Sequence, residues 1–130
     1  MRTGQRPPIG PVLARLAQEQ VGRPYRWGGT DPAGFDCSGL VWFVAREAGR
    51  PVPRDLPGQY ASGPHPGVDD LRPGDLVFNR DTYTPGLSHD GIYIGNHQFV
   101  SAVDESHGVA VASLSSPYWL AHFFGITRLS

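Results

Sequence analysis

The sequence contains one cysteine in 130 residues, so no disulfide within the chain can stabilise it. A single thiol also cannot build a thiolate zinc cluster, and we expect neither a metal nor another cofactor. No apolar run approaches the ~18 residues of a membrane-spanning helix, which predicts no integral membrane segment. The N-terminal stretch MRTGQRPPIG lacks the apolar core of a signal peptide. We interpret residues 1–10 as a linker remnant and residues 11–130 as one domain.

The chain also lacks an excess of charge of either sign. Eleven Lys and Arg residues face twelve Asp and Glu residues, and the two signs are interspersed along the sequence. This balance excludes the strongly basic face typical of nucleic-acid-binding domains. With 39% hydrophobic and 18% charged residues, the composition is that of a globular domain, which we expect to be a monomer.

The most informative stretch is PYRWGGTDPAGFDCSGLVWFVAREA, which runs from Pro24 to Ala48 and contains Cys37. Apolar residues follow the cysteine at three- and four-residue intervals, which predicts a helix beginning near Cys37 with Asp36 as its N-cap. A thiol in the first turn of a helix lies at the positive end of the helix dipole, which favours the nucleophilic thiolate. The alternative is that Cys37 is a small buried hydrophobic residue.

The remaining elements follow from periodicity and turn residues. A helix is predicted from Pro11 to Gly22, and the Pro- and Gly-rich segment 51–74 is predicted as a long loop with one short helix at 56–61. Strands are predicted at 75–78, in a hairpin within 88–103, at 108–114 and at 124–129, with a turn or short helix at 117–120. Helices followed by an antiparallel meander predict an α+β domain.

The hairpin register decides which side chains surround His89. With a three-residue loop at 95–97, Ile92 pairs with Val100, and Ser101 falls on the face of His89 and diagonal to it. With a two-residue loop, Asp104 would instead lie opposite His89. We prefer the first register because it keeps the aliphatic face of the hairpin intact.

His89 is the histidine best placed to serve the thiol. A cysteine peptidase needs an imidazole that takes the thiol proton and returns it to the leaving amine. The other histidines lie in loops, in turns or beside aromatic residues, and we interpret them as structural or solvated. Tyr25 and Trp27 are either loop-packing aromatics or, for Tyr25, a residue that reaches the thiol.

Four motifs in order resemble the NlpC/P60 family: Pro-Tyr25-x-Trp27-Gly-Gly, Asp-Cys37-Ser-Gly, Leu-x-Pro-Gly-Asp75-Leu-Val-Phe, and His89-x-Gly-Ile-Tyr-Ile-Gly. The resemblance covers nearly the whole chain. It implies a papain-like α+β fold and an exported bacterial endopeptidase acting at the cell envelope or outside the cell. Its substrate would be the stem peptide of peptidoglycan, commonly cut between D-glutamate and a diamino acid.

The resemblance also implies roles for individual residues. Cys37 would be the nucleophile, His89 the base, and Tyr25 a contributor to the oxyanion site. Asp36 and Ser38 match positions that contact the amine end of the substrate, and Trp27 is a further candidate substrate contact.

One position departs from the family pattern. Ser101 aligns with a residue that is usually His, Asn or Gln and that accepts the imidazole N–H. A serine hydroxyl is shorter, so a water molecule would have to bridge, or Asp104 or a backbone carbonyl would help. Ser101 favours one alternative function, a catalytically weak or inactive wall-binding module with the same fold. A related papain-like acyltransferase or amidase acting on lipids is another alternative, but the absence of an apolar anchor or a lipid-sized hydrophobic stretch argues against it.

Overall fold

A computed structural model describes residues 8–129, so most of the predicted N-terminal linker lies outside the described residues. One face of a five-stranded sheet carries the first three helices, and the last, short helix lies on the other face. The elements in chain order are α1 (Gly10–Glu19), β1 (Thr30–Asp31), β2 (Gly34–Phe35), α2 (Cys37–Glu47), α3 (Leu56–Tyr60), a 3₁₀ turn (Val68–Asp70), β3 (Leu76–Arg80), β4 (Leu87–Gly95), β5 (Gln98–Ala102), β6 (Val109–Ser113), α4 (Pro117–His122) and β7 (Phe123–Thr127).

The sheet is antiparallel throughout and has the order β6-β5-β4-β3-β7. Strands β3 to β6 form the predicted meander. The last strand departs from it, because α4 carries the chain across the sheet and β7 pairs with β3 rather than with β6. The predicted α+β class is confirmed. No helix within residues 8–129 is both long and apolar enough to cross a membrane.

Alternation along the strands divides the core into two layers. Leu76, Phe78 and Ile92 face α1 and α2, where they pack with the apolar sides of those helices. Val77 and Tyr93 face the other way, toward α4. The period-2 pattern of β3 and β4 therefore fills both faces of the sheet with apolar side chains.

The predicted hairpin register is confirmed, although the loop differs from the prediction. Ile92 pairs with Val100 and Tyr93 with Phe99, as the three-residue loop requires. The turn itself has only two residues, Asn96 and His97, with φ of 54° and 59°. A bulge between Tyr93 and Gly95 adds the residue that restores the register.

Candidate active site

Cys37 is the first residue of α2 and is only 6% exposed. Burial raises the pKa of its thiol to about 12, and the nearby Asp90 carboxylate adds to this rise. Backbone hydrogen bonds at Asp90 and Ser38 act in the opposite direction but are outweighed. Burial therefore opposes the ionisation that the helix start was predicted to favour.

Helix α2 begins where it does because Asp36 caps it. The Asp36 carboxylate accepts hydrogen bonds from the backbone N–H of Gly39 at 2.7 Å and of Gly28 at 2.9 Å. The first bond is an N-cap, and the second ties the glycine loop to the helix start. The thiol is thus placed by a fully bonded carboxylate.

Arg54 completes this network from the loop before α3. One guanidinium nitrogen donates to both Asp36 oxygens at 2.9 Å, and the other donates to Ser38 Oγ at 2.6 Å. The two polar side chains that flank the thiol are therefore both held by one cation. We predicted Asp36 and Ser38 as substrate contacts, and that role remains a prediction.

The sulfur lies at the edge of β4. Tyr93 donates its N–H to Asp75, toward β3, so alternation points the Asp90 N–H the other way, toward β5. The β4–β5 ladder starts only at Ile92, which leaves this part of the strand edge open. The backbone of Asp90 acts to lower the pKa of the Cys37 thiol, so the sulfur lies near β4 at the residue that follows His89.

The His89 ring leaves β4 on the face covered by α4. It stacks on Trp119 with the ring centroids 5.1 Å apart and is 4% exposed. This burial lowers the pKa of the imidazole to about 4. The ring is thus neutral at pH 7, and only one of its two nitrogens carries a proton.

Ser101 lies on the same face of the sheet, as predicted, but makes no hydrogen bond to the imidazole. Among residues 8–129, neither Ser101 Oγ nor His89 Nε2 has a partner, although both atoms are buried. The short hydroxyl does not reach the ring. Asp104 accepts from the ring of His107 at 2.7 Å instead of from His89.

Asp90 is a buried carboxylic acid at the thiol. It is 0% exposed, and neither of its oxygens has a hydrogen-bond partner within the described chain. Burial raises the pKa of Asp90 well above its usual 3.8, and the charge of Asp36 raises it further. Arg54 opposes this rise.

Aromatic side chains surround the thiol and the imidazole. Burial, and next the charge of Cys37, raise the pKa of Tyr25 to about 12, so its hydroxyl stays protonated. Trp27 is 72% exposed and meets Tyr83 edge-on at 6.0 Å. Tyr83 and His89 both line a pocket of about 390 Å³. The residues of this pocket are Thr82, Tyr83, His89, Val103, Asp104, Tyr118 and Trp119.

Three further residues of this site were not predicted from the sequence: Arg54, Asp90 and Trp119. For Asp90 a signal was available, because a charged residue on the aliphatic face of the hairpin is unexpected. Arg54 is 18 positions from Asp36 and gave no periodic signal. Trp119 reaches His89 only because α4 crosses the sheet.

The sequence model of the NlpC/P60 family matches residues 22–128, which is most of the chain. The chain belongs to the NlpC/P60 family. Two similar curated proteins are the gamma-DL-glutamyl hydrolase of Bacillus subtilis, 41% identical over 118 residues, and the murein DD-endopeptidase MepH of Escherichia coli, 36% identical over 122 residues.

This NlpC/P60 domain spans less than half of those relatives. The first alignment covers 89% of the chain and 28% of the hydrolase, and the second covers 91% of the chain and 45% of MepH. A crystal structure of an NlpC/P60 family protein from Bacillus cereus has a TM-score of 0.86 at 28% identity. That comparison covers 96% of this chain and 41% of the other, so the predicted NlpC/P60 fold is confirmed.

Proposed function

We propose that this domain is a cysteine endopeptidase that hydrolyses the stem peptides of peptidoglycan, with Cys37 as nucleophile and His89 as base. The observation that carries the proposal is that the Cys37 sulfur lies near the backbone of Asp90, the residue that follows His89 on β4. The names of the relatives, a glutamyl hydrolase and a murein endopeptidase, support the same reaction class and a site of action in the cell envelope or outside the cell.

In the first step, the neutral imidazole of His89 acts as general base toward the neutral thiol of Cys37. Burial keeps the thiol protonated and the imidazole neutral, so proton transfer accompanies the attack rather than preceding it. The Cys37 sulfur bonds to the scissile carbonyl carbon while its proton passes to His89. His89 Nε2 is buried and has no hydrogen-bond partner within residues 8–129, so we assign the proton transfer to Nδ1.

The oxyanion that forms is stabilised at the start of α2. The backbone N–H of Cys37 lies in the first turn, where N–H groups have no intrahelical acceptor. The protonated hydroxyl of Tyr25 is the second donor. His89 then protonates the leaving amine, the C–N bond breaks, and a thioester remains on Cys37. Water, activated by His89, hydrolyses the thioester and restores the thiol.

The bond we propose is the D-glutamyl–diamino acid bond. The Bacillus subtilis relative is named for hydrolysis of a glutamyl bond, whereas MepH is named a DD-endopeptidase. The two names describe different linkages. The cleavage position therefore has to be measured for this chain.

Mass spectrometry of muropeptides tests activity and cleavage position together. We expect the wild type to release a peptide that ends in D-glutamate, and the Cys37→Ala variant to release nothing. Val12→Ala, a change on the outer side of α1, is the matched control and should cleave normally. Cleavage by Cys37→Ala at the wild-type rate would refute the proposal, whereas a wild type without activity would indicate a wall-binding module.

A further inference from the structure

The sheet surface beneath the imidazole is polar where the rest of that face is apolar. Asn79 on β3 pairs directly with His89 on β4, so the two side chains leave the sheet on the same face. Two residues earlier on β3, the same face carries Val77. Ser101 lies on the other side of His89, on β5.

All three polar side chains are buried without partners. Asn79 and Ser101 are 0% exposed. Within residues 8–129, Nδ2 and Oδ1 of Asn79, Oγ of Ser101 and Nε2 of His89 make no hydrogen bond. Buried polar atoms are nearly always paired, directly or through an ordered water. Three unpaired atoms beside the unpaired Nε2 of one ring therefore indicate that these side chains act together.

The proposed role of His89 as base indicates what these side chains do. For Nδ1 to take the thiol proton, Nε2 has to carry the ring proton, and a buried N–H needs an acceptor. Ser101 is too short to supply it. An amide oxygen is a strong acceptor, and directly opposite residues in an antiparallel pair have Cβ atoms only about 4.5–5.5 Å apart. Asn79 is thus within reach of the ring.

We propose that Asn79 is a positioning residue for His89 and shares this task with Ser101. Its amide oxygen accepts the Nε2–H, directly after rotation of the amide or through one water that Ser101 also contacts. The bond fixes the tautomer with Nδ1 free and stabilises the imidazolium that forms during attack. This inference rests on the proposed role of His89 as base.

No structural duty of Asn79 competes with this role. Its side chain caps no helix and closes no turn among the described residues, and it donates to no backbone carbonyl. A purely structural residue at this point of β3 would be apolar like its neighbours Val77 and Phe78. The amide therefore has no evident partner other than the ring.

The test compares Asn79→Leu, which has nearly the same volume, with Val77→Ala on the same strand and face. We expect Asn79→Leu to lower kcat by roughly tenfold, the value of a hydrogen bond to a charged group, with little change in KM. Val77→Ala removes buried volume without touching the ring, so it should lower stability and leave kcat unchanged. Circular dichroism confirms that each variant is folded.

The pH profile separates positioning from packing. The acid limb of kcat/KM reports the imidazole, and loss of an acceptor at Nε2 should move it to lower pH in Asn79→Leu. Asn79→Asp supplies a negative acceptor and should move it to higher pH. The other titratable groups near the ring are unchanged in every variant: Cys37, Tyr83, Asp90, Asp104 and Tyr118.

A double-mutant cycle with Ser101→Ala tests the shared task. If both residues hold one ring, the losses in kcat should not add. An acid limb that stays fixed in both Asn79 variants, with wild-type kcat, would overturn this inference. The proposed function would still stand if Cys37→Ala is inactive in the same assay, and it would fail separately if Cys37→Ala is active.

Discussion

The thiol side and the imidazole side of this site are built on opposite principles. The thiol side consists of Asp36, Cys37, Ser38 and Arg54, and its charged groups are joined by short hydrogen bonds. On the imidazole side, His89 is held by stacking on Trp119, and its polar neighbours have no partners in the described chain.

The difference separates stability from catalysis. Hydrogen bonds on the thiol side anchor the start of α2 and contribute to folding. Buried unpaired atoms on the imidazole side contribute nothing to folding and cost free energy, yet they surround the base. We therefore expect substitutions of the hydrogen-bonded residues around Cys37 to change stability strongly, and substitutions on the imidazole side to change rate more than stability.

The largest effect is expected for His89→Gln, which keeps the size of the side chain and removes the base. Loss of a general base should lower kcat/KM by about 10²–10⁴-fold, measured with a defined muropeptide. His107→Gln is the matched control, because that ring is exposed and bonded to Asp104.

Stability should respond differently from rate in the same His89→Gln variant. The pKa of His89 is lowered to about 4, so the unfolded chain binds a proton at higher pH than the folded chain does. Wild-type stability should fall as pH drops from about 6.5 toward 4, and the variant should lack this part of the fall. A variant that is much less stable than wild type at pH 7 would contradict the comparison.

A smaller effect, on the free energy of unfolding, is expected from removing the cap of α2. Asp36→Ala should lose roughly 2–4 kcal/mol in urea denaturation, because the change removes an N-cap and leaves Arg54 without its carboxylate. Asp55 caps α3 through the same kind of bond to Gly58 but has no arginine partner among residues 8–129, which makes it the control.

For Asp55→Ala we expect a loss of only about 1 kcal/mol, the usual value of an N-cap. Equal losses in the two variants would show that the arginine network adds nothing to stability. The contrast between the two sides of the site would then disappear.

The smallest effect is expected at Asp90, the unpaired carboxylic acid on β4, which is not part of the hydrogen-bonded thiol side. Its pKa is raised in the folded state, so the unfolded chain releases the proton first, and the carboxyl costs stability increasingly as pH rises above about 3.8. Asp90→Asn should therefore stabilise the protein at pH 7 and leave its stability nearly unchanged at pH 3.

The same variant tests the electrostatics of the thiol. The Asp90 carboxylate raises the pKa of Cys37. In Asp90→Asn, iodoacetamide should therefore alkylate the Cys37 thiol faster than in the wild type at alkaline pH. Asp104→Asn, a change on an exposed loop, is the control. A gain in stability that does not depend on pH would show that the charge is not the cause.

The sequence could predict those features of the fold that depend on residues close together in the chain. The N-cap at Asp36, the apolar side of α2 and the pairing of Ile92 with Val100 all follow from local patterns and are all present in the structure. The family motifs also identified Cys37 and His89 as the candidate pair. These features are local because caps and strand pairing act over a few residues.

Sequence could not predict what depends on distant contacts. The pKa of Cys37 depends on how deeply the helix start is buried, and α2 packed against β4 buries it more than a helix N-terminus alone would indicate. Arg54 reaches Asp36 from a loop, and Trp119 reaches His89 from a helix that crosses the sheet. Neither contact produces a repeating pattern in the sequence from which it could be predicted.

The most direct test of the account is the site of covalent acylation during turnover. The protein is quenched with acid while it cleaves a saturating stem peptide, digested, and analysed by mass spectrometry. We predict the mass of the acyl half of the substrate, as a thioester, on the fragment that contains Cys37. The same mass on any other residue would contradict the account.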